Sequence, residues 1–140
     1  MKNLEAGRLP RPPGLAVWTE DKLFDLFPNL AERRHNLGTQ LSGGEQQMLS
    51  IARTLMGNPR LVLLDEPSEG IAPVIVEQMA KTIQRLKAEG LSILLSEQNL
   101  HFARAVADRV YVLETGSVRF AGTMRELEAR PELRDAYLAI

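Results

Sequence analysis

Three short stretches of this 140-residue sequence carry residue types that could do chemistry. In Leu41-Ser42-Gly43-Gly44-Glu45-Gln46-Gln47, two adjacent glycines stand where a helix begins. Backbone N–H groups can approach an anion closely there, the helix dipole favours negative charge, and the Ser42 hydroxyl adds a donor. Taken alone, a Ser-Gly-Gly is more often only a turn and a cap. In Leu61-Val62-Leu63-Leu64-Asp65-Glu66-Pro67, two carboxylates follow a short apolar run. Ligands bind at such strand ends in open α/β sheets. One carboxylate can hold a hydrated Mg²⁺ while its neighbour polarises an attacking water. A solvated acidic turn is an equal reading of the same residues. In Leu94-Leu95-Ser96-Glu97-Gln98-Asn99, polar groups again follow an apolar run, and helix capping is the default reading there.

The elements that must position these residues alternate between helix and strand. Pro10, Pro12, Pro13 and Gly14 argue against regular structure over 1–18. A helix is predicted after Thr19, with Leu23, Phe24, Leu26 and Phe27 as its apolar side and Pro28 as its stop. Residues 29–40 read as irregular, with one helical turn near Ala31–Arg34. Ser42 and Glu45 form a capping box, and Met48, Ile51, Ala52 and Leu55 recur at helical spacing until Gly57-Asn58-Pro59. Leu61–Leu64 lacks alternation, as expected of a parallel strand buried on both faces. A helix opens at Pro73, buries Val76, Met79, Ala80, Ile83 and Leu86, and closes at Gly90. A strand over Leu91–Leu95 and a helix over Leu100–Ala107 come next. Strands at Arg109–Leu113 and Val118–Ala121 then form a hairpin around Thr115-Gly116. Thr123 and Glu126 make a second capping box, and Pro131 opens the last helix. The pattern predicts an α/β fold.

Composition narrows the classes further. Hydrophobic residues are 44% and charged residues 25%, the balance of an ordinary soluble globular domain. Seventeen basic against eighteen acidic residues give a net charge of −1, which removes the electrostatic argument for nucleic acid as a partner. The absence of cysteine excludes disulfides, thiolate metal sites and cysteine nucleophiles. No apolar run approaches a membrane span, and the start has no signal-peptide core, so a soluble, unexported chain is expected. His35 and His101 have no evident partner ligands and read as surface or satisfied residues, not metal ligands. Arg33, Arg34 and Arg53 read as solvated or ion-paired, and Met48 and Met79 as core filling. Trp18 either packs the lead-in onto the body or touches a partner.

In this order and spacing, the three stretches resemble the C-terminal half of the ATP-binding subunit of ABC transporters, from about Asn3 to Ile140. Leu41–Gln47 is similar to the ABC signature, and Leu61–Glu66 to Walker B with its catalytic glutamate. Ser68-Glu69-Gly70-Ile71-Ala72-Pro73 is similar to the D-loop, and Gln98 falls at the switch-histidine position. The wording SGGEQQM, DEPSEGIAP, SEQN and ADRVYVLETG most resembles the second ATPase of branched-chain amino acid importers. The resemblance implies a partial P-loop NTPase (ABC ATPase) fold, with a helical signature part and a parallel-sheet part but without the Walker A strand and loop. It implies one partial domain over 1–140, divided into a lead-in (1–18), a helical signature region (19–58) and a catalytic-core part (59–140).

The resemblance also implies roles, with ATP and Mg²⁺ as cofactors. Ser42, Gly43, Gly44 and Glu45 would belong to the ATP-contacting signature, reaching nucleotide held mainly by a second ATPase subunit. Asp65 would hold Mg²⁺ through water, and Glu66 would orient or deprotonate the hydrolytic water. Ser68 and Gly70 would lie at the dimer seam. Glu45 replaces the glutamine of many relatives. Gln98 could donate to the γ-phosphate but could not titrate near neutral pH. Membrane-spanning importer subunits would be the further partners, placing the chain in the cytoplasm against the inner face of the cell membrane.

No G-x-x-x-x-G-K-[ST] occurs in these 140 residues, and none of the four lysines, Lys2, Lys22, Lys81 and Lys87, follows a glycine. The chain by itself is therefore expected neither to bind ATP tightly nor to hydrolyse it. The resemblance also implies that the Walker A strand lies between the Walker B strand and the strand leading to Gln98. Its absence would leave unpaired edges, and hence a missing partner segment, a swapped oligomer or a rearranged sheet. The alternative function is a non-catalytic module or remnant that lends its signature to a partner's ATP. Chromosome-maintenance ATPases are disfavoured by the lack of heptads. An α/β hydrolase is disfavoured by the lack of a G-x-S-x-G elbow.

Overall fold

A computed structural model describes residues 2–9 and 17–137. The expectation of irregular structure at Pro10, Pro12, Pro13 and Gly14 lies outside the described residues. The described contacts divide into two compact units, one through Glu97 and one from Gln98 onward.

The first unit begins with a single helical turn, α1 (Lys2–Glu5), where the sequence suggested no regular structure. Tertiary packing overrides the weak local signal. Leu4 is fully buried, and Gly7 lets the backbone after α1 close on α4 (Gly43–Leu55): an ideal Cβ at residue 7 would lie 2.1 Å from the Arg53 carbonyl oxygen. Between them, α2 (Glu20–Leu26) is capped by the Thr19 hydroxyl, which accepts from the Lys22 amide. Pro28 does end α2, yet it also occupies the first position of a new helix, α3 (Pro28–Glu32). The expected helical turn near Ala31–Arg34 is thus shifted toward the proline. A 3₁₀ turn follows at Gly38–Gln40 within the stretch read as irregular.

Helix α4 buries Met48, Leu49, Ile51, Ala52 and Leu55, so its apolar stripe matches the sequence pattern. The chain turns at Asn58, whose φ of 52° suits asparagine. The Asn58 side chain accepts from the Trp18 amide at 2.8 Å. Trp18 itself is buried, with the Lys22 ammonium 4.5 Å over its ring, so it packs the lead-in onto the body.

Strand β1 (Leu61–Asp65), helix α5 (Pro73–Ala88) and strand β2 (Ser92–Ser96) form a β-α-β unit with a parallel two-stranded sheet. Helix α5 buries Val76, Met79, Ala80, Ile83 and Leu86, and Gly90 closes it at φ 87°. The Arg85 guanidinium donates to the Asp25 carbonyl at 3.1 Å, and Lys22 pairs with Glu89.

Two expectations about the sheet are corrected. Strands β1 and β2 are direct hydrogen-bonded neighbours in unbroken register, from Leu61↔Ser92 to Asp65↔Ser96, so among the described residues no strand lies between them. Nor is β1 buried on both faces. Val62 and Leu64 are buried, while Leu61, Leu63 and, across the register, Leu94 are 52%, 69% and 62% exposed. Only one face of this sheet is packed by the described residues.

In the second unit, α6 (Leu100–Val106) precedes the antiparallel hairpin of β3 (Val110–Glu114) and β4 (Ser117–Gly122). Thr115 and Gly116 both have positive φ, as a two-residue primed turn requires. Helices α7 (Met124–Glu128) and α8 (Pro131–Tyr137) complete the unit. Phe120, Met124 and Leu127 form its core, with Leu100, Val110 and Val112 packed against them.

The close approach at Gly7 generates a test. Gly7→Ala must displace the α4 backbone, and it is expected to lower unfolding free energy by about 1–3 kcal/mol, measured by urea denaturation. An unchanged midpoint and slope would contradict the packing described.

Candidate functional site

The tip of α4 is fixed by reciprocal capping. The Ser42 hydroxyl accepts from the Glu45 amide at 3.3 Å, while Glu45 Oε2 accepts from the Ser42 amide at 2.7 Å and the Ser42 hydroxyl at 2.8 Å. The hydroxyl expected to face an anion is therefore turned onto Glu45 in this structure. Arg33 adds an ion pair to Glu45 Oε1 at 3.3 Å, which makes Arg33 a partner of the capping carboxylate. Hydrogen bonds from Ser42, with the Arg33 charge behind them, hold the Glu45 carboxyl below its ordinary value.

The two glycines differ in their surroundings. A Cβ at Gly43 would meet open space, whereas one at Gly44 would lie 2.7 Å from Ile75 Cγ2. Gly43 is exposed and Gly44 is buried. Free approach to the helix tip is thus possible at Gly43, and helix packing accounts for Gly44.

At the other end of the unit, the sheet register sets the acidic group. Asp65 and Ser96 are partners at the C-terminal ends of β1 and β2, and the Ser96 hydroxyl donates to Asp65 Oδ1. The next residue, Glu66, has φ 41°, a left-handed conformation uncommon outside glycine and asparagine. Its amide donates to the Ser96 carbonyl at 3.0 Å, extending the pairing one step beyond the strands. The chain then turns: the Glu69 amide donates to the Glu66 carbonyl and the Ile71 amide to the Ser68 carbonyl. Gly70 takes φ 66°, so the turn geometry itself calls for glycine there. Ser68 is buried, and its amide donates to a Glu97 carboxylate oxygen at 3.3 Å.

The fold therefore gathers Asp65, Glu66, Ser68 and Gly70 at one end of the β-α-β unit. Ser42, Gly43, Gly44 and Glu45 form a second group on the α4 tip, joined to that unit through Ile75. Gln98 opens the second unit as an exposed residue, followed by Asn99, whose side chain accepts from the Phe102 amide and caps α6. His35 and His101 are both exposed, and Met48 and Met79 are buried, in line with the sequence reading. Three contributors were not singled out from sequence. Ser96 and Glu97 lie in a stretch already marked by its polar run, but their partners depend on strand register. Ile75 lies on an apolar helix side and gives no sequence signal.

Among the described residues no three or more Asp, Glu or His side chains cluster as a metal cage. A hard cation that keeps most of its waters and takes oxygens from a phosphate needs less. The single exposed carboxylate of Asp65 is compatible with that. The open space at Gly43 likewise fits close approach of a phosphate. No helix among the described residues is long and apolar enough to cross a membrane.

Comparison with known proteins gives these loops a family. Residues 19–69 match the family described as ABC transporter, a span holding both the α4 tip and the Asp65-Glu66 pair. The chain is 49% identical over 118 residues to the high-affinity branched-chain amino acid transport ATP-binding protein BraG of Pseudomonas aeruginosa, covering 84% of this chain and 51% of that one. It is 36% identical over 118 residues to the lipopolysaccharide export system ATP-binding protein LptB of Haemophilus influenzae, covering 84% and 48%. Among solved structures, a nucleotide-free ATP-binding cassette from an ABC transporter superposes with a TM-score of 0.73 at 26% identity, covering 84% of this chain and 47% of that one. The chain thus spans about half the length of the curated relatives it matches.

The capping geometry predicts a local cost and a pH dependence. Ser42→Ala is expected to destabilise the chain by about 1 kcal/mol. The folded Glu45 value lies below the ordinary 4.5, so its contribution is complete above that value. It is lost as pH falls through the lowered one. Thermal unfolding of wild type and Glu45→Gln should therefore differ at neutral pH and converge in acid. A gap that stayed constant across that range would contradict the capping role.

Proposed function

Because the chain belongs to the ABC transporter ATP-binding family, we propose that it supplies the signature and Walker B side of an ATP site in the ATPase subunit of a branched-chain amino acid importer. The observation that carries this reading is the 49% identity to BraG, a branched-chain amino acid transport ATP-binding protein by name. We take 1–140 as one partial domain, with a lead-in over 1–18, a helical signature region over 19–58 and a catalytic-core part over 59–140.

In this reading the tip at Ser42, Gly43, Gly44 and Glu45, open to approach at Gly43, contacts nucleotide held mainly by a second ATPase subunit, in a homo- or heterodimer. Backbone amides at a helix start stabilise phosphate charge without reorganising during the reaction. Asp65 would hold Mg²⁺ through water. When bound, the ion supplies charge neutralisation at the phosphate oxygens. Glu66 orients or deprotonates the hydrolytic water. Ser68 and Gly70 meet the partner subunit at the seam. Gln98 donates an amide hydrogen bond to phosphate without titrating. Membrane-spanning importer subunits complete the assembly, with this chain in the cytoplasm on the inner face of the membrane.

The 140 residues hold no phosphate-cradling glycine-lysine loop, and this favours a second reading: a non-catalytic module that lends its signature face to a partner's ATP. One experiment separates the two. The purified chain alone is expected to show no Mg²⁺-ATP turnover. Mixing it with a Walker A-bearing fragment of a relative is expected to produce turnover that Glu66→Gln lowers by about 10²–10⁴-fold. Turnover by the chain alone would contradict the account. A mixture that stays inactive would favour the non-catalytic module.

A further inference from the structure

We propose that Ile75 is a positioning residue that locks the α4 tip to the loop running from Glu66 to Pro73, so that the two move as one body. This rests on the functional reading only in treating each loop as part of a nucleotide-binding surface. The contact itself is independent of it.

The geometry is specific. An ideal Cβ on Gly44 would lie 2.7 Å from Ile75 Cγ2 and 3.3 Å from both Cβ and Cγ1, so the isoleucine branch point sits directly against the glycine backbone. A β-branched side chain on a helix has one strongly preferred χ1 rotamer and cannot swing aside. Ile75 occupies the first turn of α5, where its own amide donates to the Ala72 carbonyl at 2.9 Å. The preceding loop is tied at several points: Ile71 amide to Ser68 carbonyl, Glu69 amide to Glu66 carbonyl, and Ser68 amide to Glu97. A displacement of the Glu66–Pro73 loop therefore reaches the start of α5, and through Ile75 it reaches the second residue of α4. Gly44 is required because any larger residue would push the tip off this seat. That requirement is separate from phosphate approach, for which the open space at Gly43 suffices.

Amide hydrogen exchange of the purified 140-residue chain, without nucleotide, reads this coupling. Ile75→Ala is expected to speed exchange at residues 43–46 and 68–71 by about tenfold or more while amides of β1 change less than about twofold. Ile75→Val, which keeps both methyl-bearing branches at Cβ, is expected to stay within about twofold of wild type at all these sites. Gly44→Ala is expected to speed exchange at the same two loops, and combining it with Ile75→Ala is expected to be less than additive, since the second change removes the clash. Unchanged exchange at either loop in Ile75→Ala would overturn the proposal. So would a rise spread evenly through β1, or additive effects in the double variant. Absence of ATP turnover in any mixture bears on the functional reading and leaves this result untouched.

Discussion

Unbroken parallel pairing of β1 with β2 is the constraint on which the acidic group depends. Five consecutive residue pairs end at Asp65↔Ser96, and one further hydrogen bond from the Glu66 amide carries the ladder past the strands. A slip of one residue would move Asp65 to the opposite face and separate it from the Ser96 hydroxyl. The crossover helix α5 returns the chain to the correct edge. Its buried stripe of Val76, Met79, Ala80, Ile83 and Leu86 holds it there. The valine, methionine, isoleucine and leucine among them each contribute on the order of 1.5–3 kcal/mol on burial. Packing energy from the middle of the unit is thus what holds the two carboxylates at its end.

The α4 tip is built on a different principle. Its order comes from polar groups that satisfy one another: Ser42, Glu45 and Arg33. A helix start of this kind must satisfy its first amides somewhere. Glu45 supplies an internal anion that does so locally, while Gly43 remains open. The two glycines that look equivalent in sequence are therefore divided in structure, Gly44 serving a helix contact and Gly43 leaving the approach clear.

Much of this was legible in the sequence because local chemistry determines it. Ser42 and Glu45 announced the cap of α4, the periodic Met48, Ile51 and Leu55 its buried side, and Thr115-Gly116 the hairpin. The misreadings are equally instructive. Helix α1 exists because Leu4 is buried and Gly7 admits a close backbone approach, and neither contact is written locally. Leu61, Leu63 and Leu94 read as doubly buried because an apolar run says nothing about which neighbours are present. The assumption of a strand between β1 and β2 came from resemblance, and the register contradicts it. Site residues whose partners lie far along the chain, such as Ser96 with Asp65 and Glu97 with Ser68, were visible as types but not as contacts.

The central proposal is that the α4 tip faces nucleotide held mainly by a second ATPase subunit, while the Asp65-Glu66 strand end serves the nucleotide on its own subunit's side. Its most direct test is sedimentation of the Glu66→Gln chain with a Walker A-bearing relative, with and without Mg²⁺-ATP. The account predicts a complex that forms only with the nucleotide, because the triphosphate bridges the two surfaces. A complex of equal strength without nucleotide, or no complex at any nucleotide concentration, would contradict it.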